Sequence, residues 1–110
     1  NKIYKKRLNV DKRYKTFQKK IDLIAKVVNK TEPRKVTSKI DNIEHTVCEA
    51  VLEDETGTIL LTLWDNVIDS IDIGKIYVFR NLYSSEFKNE VRLNLGRFGT
   101  FEIAKSNMEI

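Results

Sequence analysis

Cysteine is almost absent: Cys48 is alone in 110 residues, so no internal disulfide can staple the fold. That poverty fits a reducing compartment, and a cytoplasmic protein is expected. Cys48 sits among apolar neighbours and reads as a small buried hydrophobe rather than a reactive thiol. Histidine is equally scarce, and one cysteine with His45 cannot build a structural zinc site, so no metal centre is expected. The four glycines form no phosphate-cradling loop, and no cofactor is expected. His45 has no serine or cysteine nucleophile at a motif spacing, and is read as a surface or strand-start residue. Asp54 with Glu55, and Asp65 with Asp69 and Asp72, are explained by turn and helix-cap chemistry more simply than by a divalent cation. These absences point away from an enzyme. No apolar run approaches the ~20 residues that would span a bilayer, and the N-terminal region lacks the apolar stretch of a secretory signal. A membrane role is therefore not expected.

Hydrophobic residues make up 41% of the chain, enough for one modest core and one domain. The charge is uneven. Residues 1–20 hold nine basic side chains against one acid, Asp11, leaving eleven of the 20 basic and fifteen of the 16 acidic side chains to the other ninety residues. The net charge of +4 thus comes from the N-terminal end. The expected organisation is a basic arm at 1–16, a folded domain at 17–105 and a tail at 106–110. Such an arm can hold phosphates by counterion release, or can simply be a solvated tail.

Beyond the arm the pattern is that of strands. In 21–28, Ile21, Leu23, Ala25 and Val27 alternate with Asp22, Ile24 and Lys26, the period of a half-buried strand. The polar stretch 29–43 around Pro33 predicts a long loop or irregular hairpin carrying Arg34, Lys35 and Lys39. In 44–53, Cys48, Ala50 and Leu52 face one way, Glu49 and Glu53 the other. Asp54 to Gly57 is a turn. In 58–64, Ile59, Leu61 and Leu63 point inward, with Leu60, Thr62 and Trp64 opposite. A short helix or turn closing at Gly74 follows, then a strand over 75–83. Ser84 to Asn89 reads as a polar hairpin loop carrying Phe87. Val91, Leu93 and Leu95 alternate with Arg92 and Asn94 in a fifth strand. Gly96 and Gly99 bend or end it, and Phe98, Phe101 and Ile103 are expected to seal the barrel end. The fold class is all-β: a five-stranded barrel with a short helix or turn after its third strand.

Trp64, Tyr83 and Phe87 fall on or beside one sheet surface away from the core. A flat ring there can stack an unpaired base of any identity; packing of Trp64 against the arm or a helix is the alternative. Arg34, Lys35, Lys88 and Arg92 are placed to follow phosphates, with Lys26 and Thr37 as weaker candidates. Thr62 and Asn94 share the outward parity and can bond base edges or sugars.

The run from Glu49 to Gly57, followed by Leu61-Thr62-Leu63-Trp64, resembles the second and third strands of the archaeal single-stranded DNA-binding proteins. These are simple OB-fold proteins related to the human SSB and replication protein A OB domains. The resemblance continues through Ser70–Gly74 and Asn81–Lys88 to Val91–Asn94, covering about residues 21–105. It implies base-stacking roles for Trp64, Tyr83 and Phe87, with tyrosine standing where the archaeal relatives have tryptophan. The basic arm is longer than the family's lead-in, so its role is not inherited. The implied function is sequence-tolerant binding of single-stranded DNA in replication, recombination or repair, beside the nucleoid and with replication or repair proteins as partners. An OB-fold protein-interaction subunit and an RNA-binding OB module remain alternatives.

Overall fold

The computed structural model describes residues 17–105, so the basic arm and the tail expected at the two ends lie outside the described residues. Seven strands and one short helix follow in order: β1 (Ile21–Lys30), β2 (Arg34–Thr37), β3 (Glu44–Asp54), β4 (Gly57–Trp64), a 3-10 helix (Asp65–Ser70), β5 (Ile76–Phe87), β6 (Glu90–Asn94) and β7 (Thr100–Ile103). Five strands close a ring. β1 pairs antiparallel with β3 and β5, β3 with β4, and β5 with β6. The parallel pair β4–β6 completes the circuit where Leu61 meets Leu93 and Thr62 meets Asn94. Closure pairs backbone groups that an open sheet would leave at its edges. β2 and β7 are short additions to β3 and β5. No helix among the described residues is long and apolar enough to cross a membrane.

The alternation seen in the sequence is the alternation of the barrel wall. Cys48, Ala50 and Leu52 of β3, Ile59, Leu61 and Leu63 of β4, and Val91 and Leu93 of β6 all face the core and are buried. Burial of a Leu- or Phe-sized side chain is worth about 1.5–3 kcal/mol, so these residues dominate the stability of the barrel. Burial also pushes the Cys48 thiol up, keeping it protonated and inert. Ile68 and Ile71, in and just after the 3-10 helix, join this core. Lys30 Nζ donates to the carbonyl oxygens of both, satisfying acceptors that the helix end leaves open.

Strand β5 carries an irregularity that decides the site. Tyr77 and Phe79 point inward, and strict alternation would send Tyr83 inward with them. Asn81 instead adopts φ +62°, and the β1–β5 register shifts between Ile21 and Leu23. Asparagine tolerates this left-handed conformation better than most residues. Beyond it, Leu82 and Ser84 are the buried residues, and Tyr83 and Phe87 face out.

Several expectations are corrected. Ser84 to Phe87 is strand, not loop; only Lys88 and Asn89 form the turn, with φ +51° and +66°, the two positive values a two-residue type I′ hairpin needs. Ser84 misled because its polar side chain is buried: it accepts from Gln18 N at 2.8 Å, and Ser84 N donates to Gln18 O. Within 29–43, Asn29 and Lys30 still belong to β1, and Arg34 to Thr37 form β2. Phe98 and Ile103 do not seal the barrel; they are 72% and 57% exposed, and only Phe101 packs on the core, against Tyr77 and Phe79. Glu49, expected to face solvent, is buried. Asp65 does not cap its own helix, which has no side-chain cap.

Candidate nucleic-acid interface

Outward-facing positions of three neighbouring strands line up into one surface. β4 contributes Thr62 and Trp64, β6 contributes Arg92 and Asn94, and β5 contributes Tyr83, Ser85 and Phe87. The register fixes their order: Thr62 lies beside Asn94, Asn94 opposite Tyr83, and Arg92 opposite Ser85. Trp64, Tyr83 and Phe87 are 44%, 41% and 49% exposed, so part of each residue remains open to water. Water-exposed aromatics grouped on one sheet face gain by being covered with another flat apolar surface. Asn94 Nδ2 donates to Ser85 Oγ at 3.0 Å, which turns its amide into the row between the rings.

The Trp64 end is built around a turn. Asp65, at φ +53°, swings the chain out of β4, and its Oδ1 accepts from Thr46 N at 3.0 Å on β3. His45, also on β3, is clamped between two carboxylates: Nδ1 lies 2.8 Å from Asp65 Oδ2 and Nε2 2.9 Å from Asp41 Oδ2. Hydrogen bonds to Asp65 and then Asp41 raise the imidazole above its ordinary value. The backbone N–H groups of Ile43 and Thr46, followed by His45, hold Asp41 and Asp65 below theirs. The imidazole meets the indole edge-on, 6.0 Å between centroids at 89°. A shallow groove of about 250 Å³, lined by Ser38, His45, Trp64 and Asp65, opens beside the ring.

At the Phe87 end the support is a buried ionic cluster. Arg34 grips Glu49 with both terminal nitrogens at 2.9 Å, and Thr31 Oγ1 adds a 3.2 Å bond. Those Arg34 bonds are the main reason the Glu49 carboxyl titrates below its ordinary range, against the pull of desolvation. Arg92 approaches Glu49 at 3.4 Å and Glu90 at 3.6 Å, and its guanidinium lies 4.5 Å from the Phe87 ring centroid. Both contacts are long, and Arg92 Nε is buried without a hydrogen-bond partner. Arg92 is therefore held loosely by its carboxylates while it lies against the ring. Lys88 Nζ lies 5.3 Å from the same ring.

Tyr83, between the two ends, is placed by space rather than charge. A Cβ at Gly96 would lie 2.6 Å from Tyr83 Cε1, so the glycine, at φ +65°, leaves the floor on which the ring lies. Gly96, Glu49 and the His45–Asp65 pair are the site residues that sequence reasoning missed. The glycine at the end of β6 was a visible signal; a carboxylate on the outward parity of β3, among apolar residues, was another.

Not every expected contact residue belongs here. Arg34 pairs with Val47 and shares the parity of Glu49, but Lys35 and Thr37 alternate to the other side of β2, where Lys35 reaches Glu44 at 3.8 Å. Lys26 sits on β1 opposite Glu53 and Ile76, away from the β4–β6–β5 row. No group of three or more His, Cys, Asp or Glu placed to hold a metal occurs among the described residues.

The model of a protein family described as "Single-stranded DNA binding protein Ssb-like, OB fold" matches residues 7–103. The chain belongs to this family. The barrel is thus an OB fold, and its 3-10 helix is the short helix expected after the third barrel strand. The chain is 34% identical over 76 residues to the single-stranded DNA binding protein Ssb of Saccharolobus solfataricus, covering 69% of this chain and 50% of that protein. It spans about half the length of the curated relatives it matches. In structure it is similar to the replication factor A related protein of Methanobacterium thermoautotrophicum, with TM-score 0.69, 14% identity and 87% and 89% of the two chains covered. It is also similar to part of a replication protein A heterotrimer bound to ssDNA, with TM-score 0.63, 17% identity and coverage of 79% and 22%. At these identities the two structures bear on the fold alone.

Proposed function

We propose that the chain binds single-stranded DNA without sequence preference, stacking bases on Trp64, Tyr83 and Phe87 and taking phosphates with the cations around them. The observation that carries this reading is the half-exposure of all three rings along one β4–β6–β5 surface. An aromatic face accepts any base because every base has a π-face, at about 1–3 kcal/mol per stacked base. Arg92 and Lys88 beside Phe87, with Arg34 behind them, supply the phosphate contacts; Thr62 and Asn94 bond to sugars or base edges. Lys35, Thr37 and Lys26 contribute less, since they lie off the row. The basic arm adds non-specific attraction that weakens with salt. Membership of an Ssb-like family supports a role in replication, recombination or repair beside the nucleoid, as a binding protein rather than a catalyst, on a domain spanning residues 17–105 with the arm before it.

The test is a titration with oligo-dT, read by the emission of Trp64, the one tryptophan. Binding should quench the indole, and Trp64→Ala should weaken affinity about 5- to 150-fold. Unchanged emission together with unchanged affinity of the variant would remove the aromatic face from the function.

A further inference from the structure

Phe98 is a large exposed ring that neither the core nor the aromatic trio absorbs. It is 72% exposed at the tip of the turn after β6. The turn is built to hold it there: Gly96 takes φ +65°, and a Cβ at Gly99 would lie 2.1 Å from Leu95 O, so both glycines are required for the chain to fold back this tightly. Asn81 Nδ2 reaches Phe98 O at 3.4 Å, tying the turn to the β5 bulge.

Phe98 and Tyr83 line the same groove, about 240 Å³, together with Lys19, Lys20, Asn81 and Arg97. Lys19 and Lys20 reach it because the segment before β1 is pinned to β5 by the paired Gln18–Ser84 bonds. The charge is one-sided. Arg34, Arg80 and Arg92 each have a carboxylate partner, whereas Lys19, Lys20 and Arg97 have none among the described residues. Three cations without a carboxylate partner among the described residues, set around two exposed rings, give the groove a positive potential that attracts an anion. The basic arm joins the chain at this same end, immediately before Phe17.

We infer that this groove is a fourth base-binding position, where Phe98 stacks a nucleotide beyond Tyr83 and Lys19, Lys20 and Arg97 hold the adjoining phosphates of a single DNA strand. The inference rests on the proposed function and extends its footprint. The strand then runs along the row from Phe87 to Tyr83, over Gly96, and on to Phe98. Alternating a ring with cations is the arrangement that follows a sequence-tolerant single strand.

Oligonucleotide length separates this position from the trio. Affinities of the wild-type chain, Phe98→Ala and Trp64→Ala are compared on oligo-dT of about 4 and about 12 nucleotides, within the range that one OB fold covers. Phe98→Ala should weaken binding of the long oligomer at least about fivefold and the short one less than about twofold. A Phe98→Trp reporter in a Trp64→Phe background should be quenched by the long oligomer and much less by the short. Because Phe98 is exposed, the thermal unfolding of both variants should match that of the wild type. If Trp64→Ala weakens both lengths while Phe98→Ala weakens neither and the reporter is silent, the fourth position is wrong and the trio stands. Equal loss at both lengths would instead place Phe98 among the core platforms and also overturn the inference. A wild-type chain that binds neither oligomer would sink the proposed function itself.

Discussion

The two ends of the aromatic face are held by ionic clusters of opposite design. Behind Phe87, the Glu49 carboxylate is buried between Arg34 and Arg92, and the Arg34 bond is bidentate. Beside Trp64, the cluster of Asp41, His45 and Asp65 lies near the surface, and its hydrogen bonds raise the imidazole above its ordinary value. A buried carboxylate with two guanidinium partners keeps its charge at any ordinary pH, so the Phe87 end is insensitive to it. A histidine between two aspartates holds the Trp64 end more firmly while the ring carries both protons, since only the imidazolium donates to both carboxylates. Low dielectric makes the first cluster costly to break, whereas solvent screening keeps the second weak and adjustable.

The largest effect expected from this contrast is on stability. Glu49→Ala would leave Arg92, which is largely buried, with the 3.6 Å contact to Glu90, and should cost about 3–5 kcal/mol in urea unfolding, as loss of one partner of a buried ion pair does. The lower end of that range is expected, because Arg34 is half-exposed and can rehydrate. Glu49→Gln, which keeps the shape and the hydrogen-bond acceptor, should cost less. A loss below about 1 kcal/mol for Glu49→Ala would mean that the cluster does not hold this end.

Next in size is Gly96→Ala. Placing a side chain at a left-handed φ costs about 1–2 kcal/mol, and the new methyl must displace the Tyr83 ring. Stability and affinity for oligo-dT should both fall, with neither loss depending on pH or salt. A loss that vanished at high salt would show that Tyr83, too, is held by charge.

The smallest effect is the pH response of the Trp64 end. His45 titrates above its ordinary value, so its contribution is fully present below 6.5 and fades as the pH rises through the raised folded value. Asp41 and Asp65 titrate below their ordinary 3.8, so their contribution is present above that value and fades as the pH falls through the lowered ones. The cluster is therefore firmest between 3.8 and 6.5. Trp64 emission of the free protein should change as the pH rises past the upper limit, and His45→Gln should flatten that change. An identical titration in the His45→Gln variant would assign it elsewhere and remove the contrast between the two ends.

Legibility followed the strength of the local pattern. Alternation in β3 and β4 was plain because each core residue is apolar and each turn carries its own chemistry, as Asp54 does by accepting from Thr56 N at 2.8 Å. Trp64 stood out as a large ring on the wrong parity of a clear strand. The end of β5 was misread because Ser84, Ser85 and Glu86 have loop-like composition, although Ser84 is buried by pairing with a residue 66 positions away. Phe98 was expected to seal the barrel end because hydrophobicity alone does not say whether a turn carries a ring inward or out. Glu49 was placed in solvent because its partners Arg34 and Arg92 lie 15 and 43 residues distant.

The amino-acid order alone settled the all-β class, the inward sets of β3, β4 and β6, and the outward parity of Trp64, because these depend on alternation between neighbours. It could not settle which side of the wall β5 shows to water. A left-handed Asn81 and a register shift against β1 turn Tyr83 outward, and both exist only once distant strands have paired. Charge pairing is likewise a tertiary outcome: whether an arginine is spent on Glu49 or left open beside Tyr83 depends on which chain segments the closed barrel brings within a few ångströms.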